Sequence, residues 1–178
     1  MILRPILVLA TLLALSGCTK EPQPPPPSQT ETQQVDPVHG HLLHAQPTLP
    51  TVRVWLGDQE VITEIARRDV EIATGMMFRT NMPENTAMIF VFDFPRQQSF
   101  YMRNCIVPLS AAYISPTGEI LQLIDMQPHN ENGIPSESSN VQYVLEVPQG
   151  WFRRHHIDVG TVVRTERGSL RESFQNGR

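Results

Sequence analysis

Ala111-Ala112-Tyr113-Ile114-Ser115-Pro116-Thr117-Gly118-Glu119-Ile120-Leu121-Gln122-Leu123-Ile124-Asp125-Met126 reads as two strands and the turn between them. The runs 111–115 and 119–126 are rich in apolar and β-favouring side chains. Pro116-Thr117-Gly118 supplies the punctuation that a hairpin needs. Upstream, Val52, Val54 and Leu56 alternate with polar or amphipathic neighbours as a half-buried strand does. Gly57-Asp58 then signals a turn, and 61–65 reads as its hairpin partner. Met88 to Phe92 reads as a buried strand. Ser99 to Arg103 reads as another, with Phe100 and Met102 opposite Tyr101 and Arg103. Downstream, 141–147 and 161–164 add two more. Helix is scarce. Asp69 suits an N-cap, with Glu71 in the first turn, for a short helix over 70–77. A single turn fits 149–155. Residues 127–140 read as a long polar loop. Seven or eight short strands with one or two short helices predict a mainly β fold, a small antiparallel sandwich or barrel, over 51–165. The polar tail, 166–178, is expected to fray.

The amino-terminal end carries an address. Arg4 is the only charge before residue 20, and 6–15 is apolar apart from Thr11. Ten helical residues span about 15 Å, half of a bilayer core, so residues 1–17 read as a signal peptide rather than a transmembrane span. Leu15-Ser16-Gly17-Cys18 looks like a bacterial lipobox. That resemblance implies cleavage before Cys18 and acylation of its thiol and new amino group. More than one acyl chain gives stable anchoring. The expected location is the cell envelope, facing the periplasm, with Thr19 favouring the outer over the inner membrane. Residues 18–50 follow as a tether. Eight of the sixteen prolines lie in 19–50, including Pro24 to Pro27 in a row. Such a stretch favours extended polyproline geometry and would reach roughly 100 Å at most. Within it, His39, His41 and His44 could bind a metal weakly, with no acidic or cysteine partner placed closely enough to complete a strong site. No metal or other cofactor is expected.

Among 178 residues, 40% are hydrophobic and 18% charged, enough apolar material for a core. The net charge of −4 speaks against a nucleic-acid partner. With Cys18 acylated, Cys105 is the remaining thiol. No intrachain disulfide can then form, and Cys105 reads as a small buried residue.

Several motifs occur in a fixed order: Gly75-Met76-Met77-Phe78-Arg79, Met88 to Phe92, Ser99-Phe100-Tyr101-Met102-Arg103-Asn104, Ile106-Val107-Pro108-Leu109, Gly118, Met126-Gln127-Pro128, Tyr143-Val144-Leu145-Glu146 and Gly160. Over most of 52–164 this resembles the domain of unknown function family number 192. The resemblance implies a small, mainly β, jelly-roll-like and often exported domain, and it implies no established reaction. This chain has Tyr101, Arg103, Cys105 and Ser110 where the family usually has Trp, Lys, Thr and Asp.

No nucleophile–base pair, metal-ligand spacing or phosphate loop stands out. Six methionines between 76 and 126 suggest either a thioether site for Cu(I) or core filling. Arg79, Arg103 and Asn104, with Tyr101 as a stacking wall, form a candidate pocket for an anionic or sugar ligand. The alternative is a structural network in which Glu146 pairs with one arginine. Arg153-Arg154-His155-His156 beside Trp151 and Phe152 suits a lipid headgroup, a partner or a solvated face. Three function classes stand: a ligand-binding or accessory module at the envelope, an enzyme on a sugar or peptide substrate, and a structural partner of envelope proteins. The enzyme would need a carboxylate pair drawn from Glu146, Asp125 and Asp93.

Overall fold

The hairpin at 111–126 forms the far end of a long, curled sheet. The computed structural model describes residues 34–175; the signal segment, Cys18 and the proline run lie outside them. Strands β1 (Thr51–Leu56) and β2 (Gln59–Ala66) pair antiparallel around Gly57-Asp58. Helix α1 (Asp69–Thr74) then carries the chain to β3 (Thr86–Arg96). After β4 (Ser99–Phe100) come β5 (Leu109–Ile114), β6 (Ile120–Met126) and β7 (Ile134–Pro135). The chain ends with β8 (Val141–Pro148), α2 (Trp151–Arg154), β9 (Val163–Thr165), β10 (Gly168–Ser169) and α3 (Leu170–Phe174).

Eight strands form one sheet in the order β10-β9-β1-β2-β3-β8-β5-β6, and β4 pairs with β7 in a small second sheet. The large sheet curls until the start of β6 reaches the segment before β9. Ile120 N–H donates to Thr161 O at 2.9 Å, and Val163 N–H donates to Gly118 O at 2.8 Å. Only glycine suits position 118: its φ is +90°, and an added Cβ would lie 2.7 Å from Val163 O. The result is mainly β, mostly antiparallel and sandwich-like, and it stops short of a closed barrel.

Central strand β8 is buried on both faces, so its sequence is nearly continuous in apolar residues. Alternation sends Tyr143, Leu145 and Val147 to the inner core, with Val54, Leu56, Ile89 and Trp151. Val144 faces the opposite way, into a second cluster with Phe90, Phe92, Cys105 and all six methionines between 76 and 126. Unbranched thioethers fill the irregular space beneath α1 and the loops.

The structure departs from the sequence expectations at five places. Strands β2 and β3 pair in parallel, against the antiparallel expectation, because the short helix expected between them, α1, serves as a crossover connection. Arg68, not Asp69, is the N-cap. The Glu71 carboxylate accepts from Arg67 N–H and Arg68 N–H, both at 2.9 Å, and the helix ends at Thr74 because Gly75 takes φ +47°. The 99–103 strand is only two residues long and pairs with β7, inside the stretch read as loop. The tail does not fray before Phe174: β10 and α3 cap the inner core with Leu170 and Phe174, both buried, and Ser169 accepts from Glu172 N–H at 3.2 Å. Finally, residues 41–49, read as tether, are seated on the domain. Leu42 and Leu49 are buried, and Gln46 Nε2 donates to Glu71 O and Gly75 O at 3.2 and 2.8 Å.

Candidate functional site

On the outer face of β3 and β8 a cavity of about 220 Å³ lies beside the end of α1 and the β4 segment. Three local features create it. Gly75 turns the chain off α1 so closely over the sheet that a Cβ there would lie 3.2 Å from the Phe90 ring. Met76 and Met77 follow as wall. The β4 segment brings Phe100 and Tyr101 across, and Phe100 meets Phe90 edge to face at 4.9 Å. Exposed Arg96 and Ser99 stand at the mouth.

One residue breaks this apolar lining. Glu146 occupies the sheet centre, opposite Met88 on β3 and Ala111 on β5. It is 4% exposed, and its Oε2 has no hydrogen-bond partner. Burial pushes its carboxyl up from 4.5 to about 8, so the neutral acid dominates near pH 7. Gln98, 6% exposed, also lines the cavity and leaves Nε2 without a partner. Its backbone is fixed: its N–H donates to Ser136 Oγ at 3.1 Å and its carbonyl accepts from Ser136 N–H at 2.7 Å. Two of the four orphaned buried side-chain atoms among the described residues therefore share one small cavity. Native interiors rarely leave such groups unpaired. Cys105 lines the same space, and burial, reinforced by the charge of Glu146, pushes its thiol up to about 12. A thiol so held is not a nucleophile near neutrality.

The loops behind the cavity store backbone strain. Phe78 and Asn104 have φ of +63° and +54° and are joined, Phe78 N–H donating to Asn104 O at 2.8 Å. A bulky residue in the left-handed region is a genuine outlier and needs a surrounding structure that over-determines it.

A family model of uncharacterized proteins, DUF192, matches residues 52–165, which run from β1 to β9 and leave β10 and α3 outside. The chain belongs to the DUF192 family. Two solved structures share the fold. One, from Sinorhizobium meliloti 1021, carries a provisional assignment as a transcription regulator. It is 26% identical with a TM-score of 0.64, over 67% of this chain and 97% of that one. The other, a protein of unknown function from Novosphingobium aromaticivorans DSM 12444, is 28% identical with a TM-score of 0.63, over 76% and 94%. No curated protein matches.

In this DUF192 domain the residues singled out from sequence separate. Tyr101 and Glu146 line the cavity. Arg79 does not: it forms a two-pronged pair with Glu64 at 2.5 and 2.8 Å, and Glu64 also accepts from Leu49 N–H at 2.7 Å. Arg103 reaches Glu131 at 2.7 Å, a pair exposed enough to contribute little. Asn104 gives its carbonyl to Phe78 and turns its side chain toward Met77 Sδ. The expected pairing of Glu146 with an arginine is absent, because both arginines hold other carboxylates and Glu146 lies buried among apolar groups. The carboxylate pair that an enzyme would need is not assembled either. Asp125 sits opposite Ser110 in the sheet, one residue out of step with Glu146, and so belongs to the other face. Asp93 lies outside the cavity lining. Ser110, where the family usually has aspartate, donates to Asp125 Oδ1 and accepts from Gly150 N–H at 2.8 Å. A second carboxylate there would face Asp125. Gln98 carried no sequence signal, since it lies in a polar run with nothing to mark it as buried.

Proposed function

We propose that the domain is a binding module for a small uncharged ligand bearing hydroxyl or amide groups, held at the cell envelope through the lipid on Cys18. The observation that carries this reading is the pair of unpartnered buried atoms, Gln98 Nε2 and Glu146 Oε2, in one cavity with aromatic walls. A neutral acid both donates and accepts, and an amide N–H donates. A polyol or amide satisfies both, while Phe100 and Tyr101 cover its apolar face. The volume suits a molecule below drug size. The anionic ligand expected on Arg79 and Arg103 is disfavoured, because both guanidiniums are occupied by carboxylates. The net charge of −4 also disfavours DNA as a partner.

Native mass spectrometry of the untagged chain, recovered from the envelope, tests the reading. Wild type is expected to retain a small extra mass. Glu146→Gln should keep it, whereas Glu146→Leu and Gln98→Leu should lose it. A bare wild-type chain counts against the pocket. Retention by the Glu146→Leu and Gln98→Leu chains places the ligand elsewhere, and loss in Glu146→Gln points to a cation instead. The anchor is tested separately: Cys18→Ser is expected to move the chain from the membrane to the soluble fraction.

A further inference from the structure

Three candidate metal ligands converge in a turn that lies before the matched DUF192 residues. One ligand atom each from Asp36, His39 and His41 lies within 4.8 Å of the other two. This corrects the expectation that no acidic partner completes the histidine pattern: Asp36 stands three residues before His39, in proline-rich chain that reads as linker, and the turn gathers it with both histidines. The turn is held by its own backbone. Asp36 N–H donates to His41 O at 2.7 Å, Gly40 N–H donates to Asp36 O at 2.9 Å, and Val35 bridges Leu42. It is also fastened to the domain: Leu42 is buried, and its N–H donates to Thr74 Oγ1 at 2.9 Å.

His41 is the informative member. It is 3% exposed, and its Nδ1 lies 2.7 Å from Leu42 O. A carbonyl only accepts, so Nδ1 carries the hydrogen and the neutral ring keeps its lone pair on Nε2. A backbone carbonyl fixing the second ring nitrogen is the arrangement that metal-ligating histidines use. Asp36 Oδ1 holds His39 Nδ1 at 3.0 Å, which orients the second ring. We propose that Asp36, His39 and His41 bind a divalent transition-metal cation, with its remaining coordination position open to water or a partner group. Two imidazoles and one carboxylate suit Zn²⁺, and the same set binds Cu²⁺ more tightly. A bound cation would stiffen a turn that Leu42 and Thr74 already join to the end of α1.

Zn²⁺ titrated into the untagged chain against a chromophoric chelator is expected to show one tight equivalent. His39→Ala and Asp36→Asn should each weaken it about tenfold or more while leaving the metal-free melting temperature unchanged. Partly exposed His39 is the residue that separates ligation from packing, since buried His41 serves both. Co²⁺ should give visible ligand-field bands in wild type and lose them in His39→Ala. Absence of a tight equivalent in wild type overturns the proposal. So does an equivalent that survives in both His39→Ala and Asp36→Asn. Neither result bears on the cavity, whose test reads a retained organic mass.

Discussion

Glu146→Gln is expected to stabilise the chain by about 3–5 kcal/mol at pH 9 and to change it little at pH 4. The folded carboxyl titrates at about 8 and the unfolded one near 4.5. Between these values the folded state holds a proton that the unfolded state has released. Wild-type stability from this group is therefore complete below about 4.5, falls as pH rises, and levels off above about 8. Glutamine keeps the shape and the neutral polarity and cannot ionise, so the fall disappears. Urea midpoints for both chains at pH 4, 7 and 9 give the check. A difference that stays constant with pH would show that Glu146 is not the buried, unpartnered acid described above.

Arg79→Ala should cost about 2–4 kcal/mol, the largest loss expected from an arginine in this domain. Its side chain is 17% exposed and that of Glu64 is 15%. Removing the guanidinium leaves a largely buried carboxylate whose other contact is Leu49 N–H. Desolvation then goes uncompensated, which is the expensive way to break a pair. Arg79→Ala combined with Glu64→Gln should recover a substantial part of the loss. Equilibrium unfolding of the two single variants and the double one closes the cycle. A single-variant cost under about 0.5 kcal/mol would class the pair with exposed ones.

Much of the sheet was legible because burial writes a period into sequence. β1, β5, β6 and β8 were visible as alternating or continuous apolar runs, and Glu146 was visible as an acid at an apolar strand end. What was not legible depends on partners distant in sequence. Nothing in 59–66 or 86–96 announces that those strands run parallel. Leu42 and Leu49 are isolated apolar residues in polar, proline-rich chain, so their burial against the domain had no periodic signature. Arg79 looked available for a ligand because Glu64, its partner, lies on a strand fifteen residues earlier. The cavity exists only where α1, β4 and β8 meet, and Gln98 enters it from a stretch that reads as surface.

The pairing of β1 with β9 sets the order in which this domain can be made. Arg53 and Glu166, 113 residues apart in sequence, are joined at 2.9 Å across that junction. A hairpin of β1 and β2 therefore keeps one edge unsatisfied until a strand more than a hundred residues downstream joins it. Long-range closure of this kind slows folding and prolongs the exposure of open strand edges.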